Sequence, residues 1–211
     1  MKLDKNFLKL YAVTNFDTFD DSILISKKIT NAIDGGVTCI QLREKNCDYQ
    51  KFLERSILIG NICKKRKIPF IVNDNVEISI KSDADGVHVG QEDLDASESR
   101  SRIGKDKILG VSVKTVDQAL KAQKDGADYL GVGSMFESTT KQDTMVSFVT
   151  LKEICKSVSI PVVAIGGINI LNIEKLKGAG IIGIAASSCI FSGNNTRSDV
   201  KNILEHLKNI F

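Results

Sequence analysis

Ile108-Leu109-Gly110-Val111 is apolar at every position, and Val162-Val163-Ala164-Ile165 repeats the pattern further along the chain. A strand with one wet face alternates apolar and polar residues. A run without alternation is buried on both faces, as parallel strands are beneath helices. Outward from these two runs, β-branched segments recur at residues 10–14, 38–43, 70–74, 86–90, 108–113, 129–133, 162–166 and 181–186, which makes eight. Helix-compatible stretches lie between them, the clearest at 49–67. There Phe52, Leu53, Ile57 and Cys63 follow helical spacing, Asp48 is placed to cap the start, and Lys64-Lys65-Arg66-Lys67 suits the negative C-terminal end. Gly126-Ala127-Asp128 and Gly178-Ala179-Gly180 form turns just before strands, and Ser82-Asp83-Ala84-Asp85 stands in a like position.

The chain therefore reads as one βα unit of about 26 residues repeated eight times over 211 residues. That predicts an α/β fold, a single (βα)8 TIM barrel spanning residues 1–211, at the small end of the architecture. An open doubly wound sheet is the alternative. The barrel is favoured because the strand count reaches eight and no G-x-G-x-x-G fingerprint follows the first strand.

Composition narrows the function. Apolar residues at 42% and charged residues at 26% are near globular averages, which excludes wholesale disorder. A net charge of +3 is too small for an electrostatic footprint on nucleic acid, so no nucleic-acid partner is expected. No stretch approaches ~18 apolar residues, so no membrane partner is expected. The start, Met1-Lys2-Leu3-Asp4-Lys5, carries an acid and no apolar run, which predicts a cytoplasmic rather than secreted protein. Five cysteines, an odd number without a C-x-x-C, predict reduced thiols that pack as small hydrophobes.

In a barrel of this kind the chemistry sits at the C-terminal ends of the strands. The second strand ends Gln41-Leu42-Arg43-Glu44-Lys45, with Gln41, Arg43 and Lys45 on one face by the period of two. Two cations aimed at the barrel mouth call for an anionic partner, either a ligand or a neighbouring carboxylate. The third strand ends Asn73-Asp74 and the fourth runs into Gly90-Gln91-Glu92-Asp93. Asp74 and Asp93 beside Arg43 and Lys45 suit a Mg²⁺–phosphate site, since Mg²⁺ takes one or two carboxylates and completes its shell with water and phosphate oxygens. After the sixth strand, Ser138-Thr139-Thr140-Lys141 offers three hydroxyls and a charge to an oxyanion. Gly166-Gly167 and Ser187-Ser188 follow strands 7 and 8, the usual phosphate-binding place of the fold. His88, inside Val87-His88-Val89, reads as a structural histidine rather than a catalytic one. Two anion sites on one mouth imply a reaction between two phosphorylated small molecules.

The motifs Gln41-Leu42-Arg43-Glu44-Lys45, Asn73-Asp74, Asp85-Gly86-Val87-His88-Val89-Gly90-Gln91-Glu92-Asp93, Gly110-Val111-Ser112, Thr140-Lys141 with Asp143, Ile165-Gly166-Gly167-Ile168 and Ser187-Ser188 occur in this order at strand ends. In them the chain resembles the thiamine-phosphate synthase family along essentially its whole length. The resemblance implies a (βα)8 transferase that couples 4-amino-2-methyl-5-hydroxymethylpyrimidine diphosphate to a thiazole phosphate, giving thiamine monophosphate and diphosphate. It implies a dissociative course without a protein nucleophile. Gln41, Arg43, Glu44, Lys45, Asn73, Ser112 and Lys141 would line the pyrimidine diphosphate site, with Arg43, Lys45, Ser112 and Lys141 acting in catalysis. Asp74 and Asp93 would hold Mg²⁺, and Ser138, Thr139, Thr140, Gly167, Ser187 and Ser188 would hold the thiazole phosphate. A homodimer is among the family's expectations. The sequence departs from the family's pattern at Asn75, where an arginine often follows Asn-Asp, at Ser134 and Glu137, where prolines are usual, and at Ser138, where threonine is usual. The rival readings are a thiazole tautomerase of the same barrel family and a non-catalytic barrel that binds phosphorylated ligands.

Overall fold

Strands of four to six residues with apolar neighbours on both sides can satisfy their backbone groups only through partners on both edges. Here they form a ring. The structure, a computed structural model, describes residues 5–14, 21–137 and 144–210. Its strands are β1 (Leu10–Val13), β2 (Cys39–Leu42), β3 (Phe70–Asn73), β4 (Gly86–Val89), β5 (Ile108–Val113), β6 (Tyr129–Val132), β7 (Val162–Ile165) and β8 (Gly183–Ala186). Each pairs in parallel with its sequence neighbour, and β8 returns to β1 with Tyr11 opposite Ala185, closing the barrel. Seven strands match the sequence reading to within a residue at each end. The eighth starts later, because Ile181 and Ile182 belong to the approach to the strand.

The helices among the described residues are α1 (Ser22–Gly35), α2 (Tyr49–Arg66), α3 (Val76–Lys81), α4 (Ala96–Ile103), α5 (Val116–Lys124), α6 (Phe148–Ser157), α7 (Ser188–Phe191) and α8 (Thr196–Leu207). Between β7 and β8 a 3₁₀ turn, Ile173–Leu176, replaces the helix. None of the described helices is long and apolar enough to cross a membrane.

Alternation along the strands divides the core into two layers. Leu10, Ala12, Ile40, Leu42, Leu109 and Val111 face the helices. Tyr11, Val13, Cys39, Ile71, Ile108, Tyr129, Val163 and Ala185 fill the barrel, with Phe7 and Leu8 packed against them. A side chain at Gly183 would lie 1.8 Å from the Leu8 carbonyl oxygen, so the absence of a Cβ there lets the N-terminal segment close against β8.

Helix α2 begins as its sequence predicts. Asp48 caps it, accepting a hydrogen bond from the Lys51 N–H at 3.0 Å, and Lys64, Lys65 and Arg66 occupy its last turn. Its inner face differs from the expected one: Phe52, Arg55, Ser56, Ile59 and Cys63 are buried, and Ile57 is exposed. The five share one side at helical spacing, and Ile57 falls outside that stripe. Arg55 holds a core position because it meets Glu44 there, Nη1 to Oε1 at 2.8 Å, with side chains 7% and 0% exposed. Glu44 thus turns outward from the barrel into the β2–α2 interface. The resemblance places Glu44 at the pyrimidine diphosphate site; in the structure its carboxylate pairs with Arg55 on α2.

All five cysteines are free, and Cys39 and Cys63 are buried. Burial pushes the Cys63 thiol up to about 12, so it stays protonated and packs as an apolar group.

Removing one member of a buried ion pair strands the other charge, at a cost of about 3–5 kcal/mol, whereas replacing both with apolar groups is often neutral. Arg55→Leu is therefore expected to lower stability by about that much in urea unfolding, and Glu44→Met with Arg55→Leu to recover most of the loss.

Candidate active site

Strand ends β2, β3 and β4 bring charge together at the C-terminal rim. Lys45 lies just beyond β2 and its ammonium hydrogen-bonds Asp74 Oδ2. Asp74 follows β3 with φ of 63°, a left-handed backbone, and its N–H donates to the His88 carbonyl at 2.7 Å. Asp93 folds back over the β4 loop, accepting from the Gly90 N–H at 2.7 Å. Burial, and then the Asp74 carboxylate beside it, hold the Asp93 carboxyl above the usual aspartate range. Arg43 is half-buried at the end of β2, and its guanidinium makes no ion pair with any described residue.

Two adjacent carboxylates, of which Asp74 helps hold Asp93 above its usual range, suit a cation. Among the described residues no third acid, histidine or cysteine joins them. A donor set of two carboxylates fits Mg²⁺ better than zinc, because Mg²⁺ keeps waters and takes phosphate oxygens for the remainder of its shell. Asp74 and Asp93 are the residues that would hold it.

Gln91, in the same loop, donates from Nε2 to the Ser112 carbonyl at 2.8 Å and ties the β4 loop to β5. Asn73 is buried at the end of β3. Asn75, which stands where the family pattern has arginine, caps α3 by accepting from the Ile78 N–H at 2.9 Å.

Below the rim the barrel interior is polar but uncharged. Gln41 Nε2 donates to Tyr11 Oη at 2.7 Å, and Tyr11 Oη lies 2.8 Å from Tyr129 Oη. Tyr129 Oη is 2.9 Å from His88 Nδ1, and His88 Nε2 is 2.9 Å from Ser112 Oγ. Burial pushes His88 down to about 4 and both phenols well above 10, so every member is neutral near pH 7. Gly110 makes the room: a Cβ there would lie 2.2 Å from Tyr129 Cζ and 2.4 Å from His88 Nδ1. His88 is thus a satisfied interior histidine, as its sequence context predicts. Sequence reasoning misses Tyr11 and Tyr129, because a tyrosine inside an apolar strand reads as core.

On the far side of the mouth, the loops after β6 and β7 pack back to back. Met135 N–H donates to the Ile165 carbonyl and Phe136 N–H to the Gly166 carbonyl, at 3.0 and 3.1 Å. A Cβ on Gly166 would overlap Ser134, and one on Gly167 would lie 2.3 Å from the Glu137 carbonyl oxygen. Both glycines also have positive φ, so close approach and backbone together require them. Glu137 is exposed. Ser187 and Ser188 follow β8 and open the short α7. Ser138, Thr139, Thr140 and Lys141 lie outside the described residues.

The C-terminal ends of β2 to β5 therefore carry Gln41, Arg43, Lys45, Asn73, Asp74, Asp93 and Ser112, those of β7 and β8 carry Gly167, Ser187 and Ser188, and Glu44 pairs with Arg55 on α2. Known proteins share this frame and much of its sequence. Thiamine-phosphate synthase of Clostridium tetani is 48% identical over 203 residues, covering 96% of this chain and 95% of its own. The enzyme of that name from Clostridium botulinum is 46% identical over 197 residues, covering 93% and 92%. The solved thiamine phosphate pyrophosphorylase from Pyrococcus furiosus superposes with a TM-score of 0.88 at 32% identity, covering 98% of each chain. Residues 10–190 match the family model described as thiamine monophosphate synthase, and the chain belongs to that family.

Proposed function

We propose that the chain joins 4-amino-2-methyl-5-hydroxymethylpyrimidine diphosphate to a thiazole phosphate, releasing diphosphate and giving thiamine monophosphate, by Mg²⁺-supported dissociative displacement. The observation that carries this reading is the rim cluster, with Lys45 on Asp74, Asp93 alongside and Arg43 without a carboxylate partner among the described residues. A departing diphosphate needs cations near its oxygens and carboxylates that hold a metal against them. Mg²⁺, when bound by Asp74 and Asp93, would neutralise charge developing on that leaving group.

The protein's own residues divide the remaining work. Arg43 and Lys45 hold the diphosphate by charge-assisted hydrogen bonds, and Lys141 adds a third cation from the β6 loop. Gln41, Asn73 and Ser112 orient the pyrimidine ring from the barrel interior. Gly167, Ser187 and Ser188, with Ser138, Thr139 and Thr140, take the thiazole phosphate and aim its ring nitrogen at the carbon from which diphosphate leaves. No protein nucleophile is required, which agrees with an interior whose titratable groups are neutral. Asn75 caps α3 instead of supplying a cation, so more of the leaving-group charge falls to Arg43, Lys45 and Lys141.

Diphosphate release, measured with both substrates and with each omitted, tests the reaction. Release is expected only with both substrates and Mg²⁺; thiazole isomerisation without coupling would overturn the reading. Asp74→Ala and Asp93→Ala are each expected to reduce turnover by more than about a hundredfold with the fold intact by circular dichroism. Near-normal Mg²⁺-dependent activity in either variant removes that residue from the metal site.

Lys141 and Ser188 separate transition-state stabilisation from ground-state binding. A contact that strengthens as the C–O bond breaks lowers kcat, and uniform binding mainly raises KM. Lys141→Ala is expected to lose ~10²-fold or more in kcat. Ser188→Ala is expected chiefly to raise the thiazole phosphate KM, roughly three- to tenfold. Steady-state kinetics with each substrate varied at saturating Mg²⁺ checks both. A Lys141→Ala change confined to the thiazole KM would move Lys141 to the thiazole subsite.

A further inference from the structure

Thr14 follows β1 and is fully buried. Its N–H donates to the Gln41 carbonyl at 2.9 Å, which carries the β1–β2 pairing one step past Val13. A parallel ladder that continued would next send the Arg43 N–H to the Thr14 backbone carbonyl. That N–H goes instead to the Thr14 hydroxyl, at 3.0 Å. An amide N–H can only donate, so Oγ1 accepts here, and its single hydrogen is turned to the Arg43 carbonyl at 3.4 Å. One side chain therefore holds both polar groups of the Arg43 backbone. The regular ladder ends at this level, and a threonine ties Arg43 to the end of β1.

We propose that Thr14 is a positioning residue for the leaving group: its hydroxyl fixes the backbone from which the Arg43 guanidinium reaches the diphosphate. The role of Arg43 rests on the functional reading above. The neighbours of Arg43 have anchors of their own. Gln41 donates to Tyr11, Glu44 pairs with Arg55, and Lys45 pairs with Asp74. Thr14 supplies the corresponding anchor for Arg43, through its backbone, and leaves the guanidinium to the ligand.

Two features support positioning rather than core filling. Valine would occupy nearly the same space, so what threonine adds at this buried position is the hydroxyl. A buried hydroxyl costs free energy unless it is hydrogen-bonded, and both of its hydrogen bonds go to Arg43. The second feature is reach. A guanidinium on a long side chain is placed no better than its own Cα, and a misplacement of about 1 Å can cost as much as 10²-fold in rate.

Isothermal titration calorimetry of the full-length protein with inorganic diphosphate, at saturating Mg²⁺, reads the diphosphate site without turnover. Thr14→Val is expected to weaken diphosphate binding about tenfold. Thr14→Ser keeps the hydroxyl and is expected to bind within about twofold of wild type. Thr14→Ala also removes the hydroxyl and is expected to match Thr14→Val, which keeps the test open if the valine variant misfolds. A double-mutant cycle separates positioning from a cost to the fold. Arg43→Ala keeps the backbone N–H and carbonyl that Thr14 holds, so any cost to the fold persists in that background while the guanidinium is gone. There, Thr14→Val is expected to change diphosphate affinity by less than about twofold. In the coupling assay, Thr14→Val is expected to lower kcat and leave the thiazole phosphate KM unchanged. Unchanged diphosphate affinity in both Thr14→Val and Thr14→Ala overturns the proposal. So does an equal loss in Thr14→Ser, a full loss that persists on Arg43→Ala, or an effect confined to the thiazole KM. A wild type that binds no diphosphate overturns the placement of Arg43 and the proposal with it. Diphosphate binding without coupling activity overturns the functional reading alone, and the cycle still decides the role of Thr14.

Discussion

Closure of the ring by β8 against β1 is the constraint on which the remainder depends. Strands of four to six residues are too short to build a site by themselves, but in a closed parallel barrel all eight of their C-terminal ends point the same way. Alternation then sorts the residues at each end into those that face the axis and those that face a helix. At β2 this puts Gln41, Arg43 and Lys45 toward the mouth and Leu42 and Glu44 toward α2. The buried Glu44–Arg55 pair continues the same sorting beyond the strand and fastens the loop that carries Arg43 and Lys45 to the helix behind it.

That sorting explains which parts of the site are legible in the sequence. The strands and the barrel can be read because apolar runs without alternation admit few other environments, and the α2 cap can be read because Asp48 sits one residue before a helical pattern. Asp74, Asp93 and Lys45 can be read as a group because each lies just past a strand. Glu44 shows two lines of inference in conflict: motif resemblance places it in the pyrimidine site, and the period of two places it on the opposite face from Arg43. In the structure its carboxylate pairs with Arg55 on α2.

The interior chain is not legible, for a physical reason. Tyr11 and Tyr129 lie in apolar strands where a large ring is ordinary filling, and nothing in a sequence says that two hydroxyls 118 residues apart will meet at an axis. Gly110 gives a faint signal, since an interior glycine in a strand often marks close approach by another group. His88 can be read as satisfied, but its partners cannot be named. The inner face of α2 misleads similarly: Ile57 is the more apolar residue, yet Arg55 is buried because its partner comes from another element.

Charge and neutrality are thus separated by depth. The rim holds the charged groups: Lys45 is on Asp74 in this structure, and on the proposed reading a metal on Asp74 would release that ammonium toward phosphate. The floor holds only neutral groups, joined through Gln41, Tyr11, Tyr129, His88 and Ser112. Placing titratable charge beneath the ring would have cost several kcal/mol of desolvation per ion and would have blurred recognition, since a charged group attracts any ring of suitable dipole. A neutral floor binds by hydrogen bonds that must each be satisfied, because a buried polar group left unpaired costs free energy.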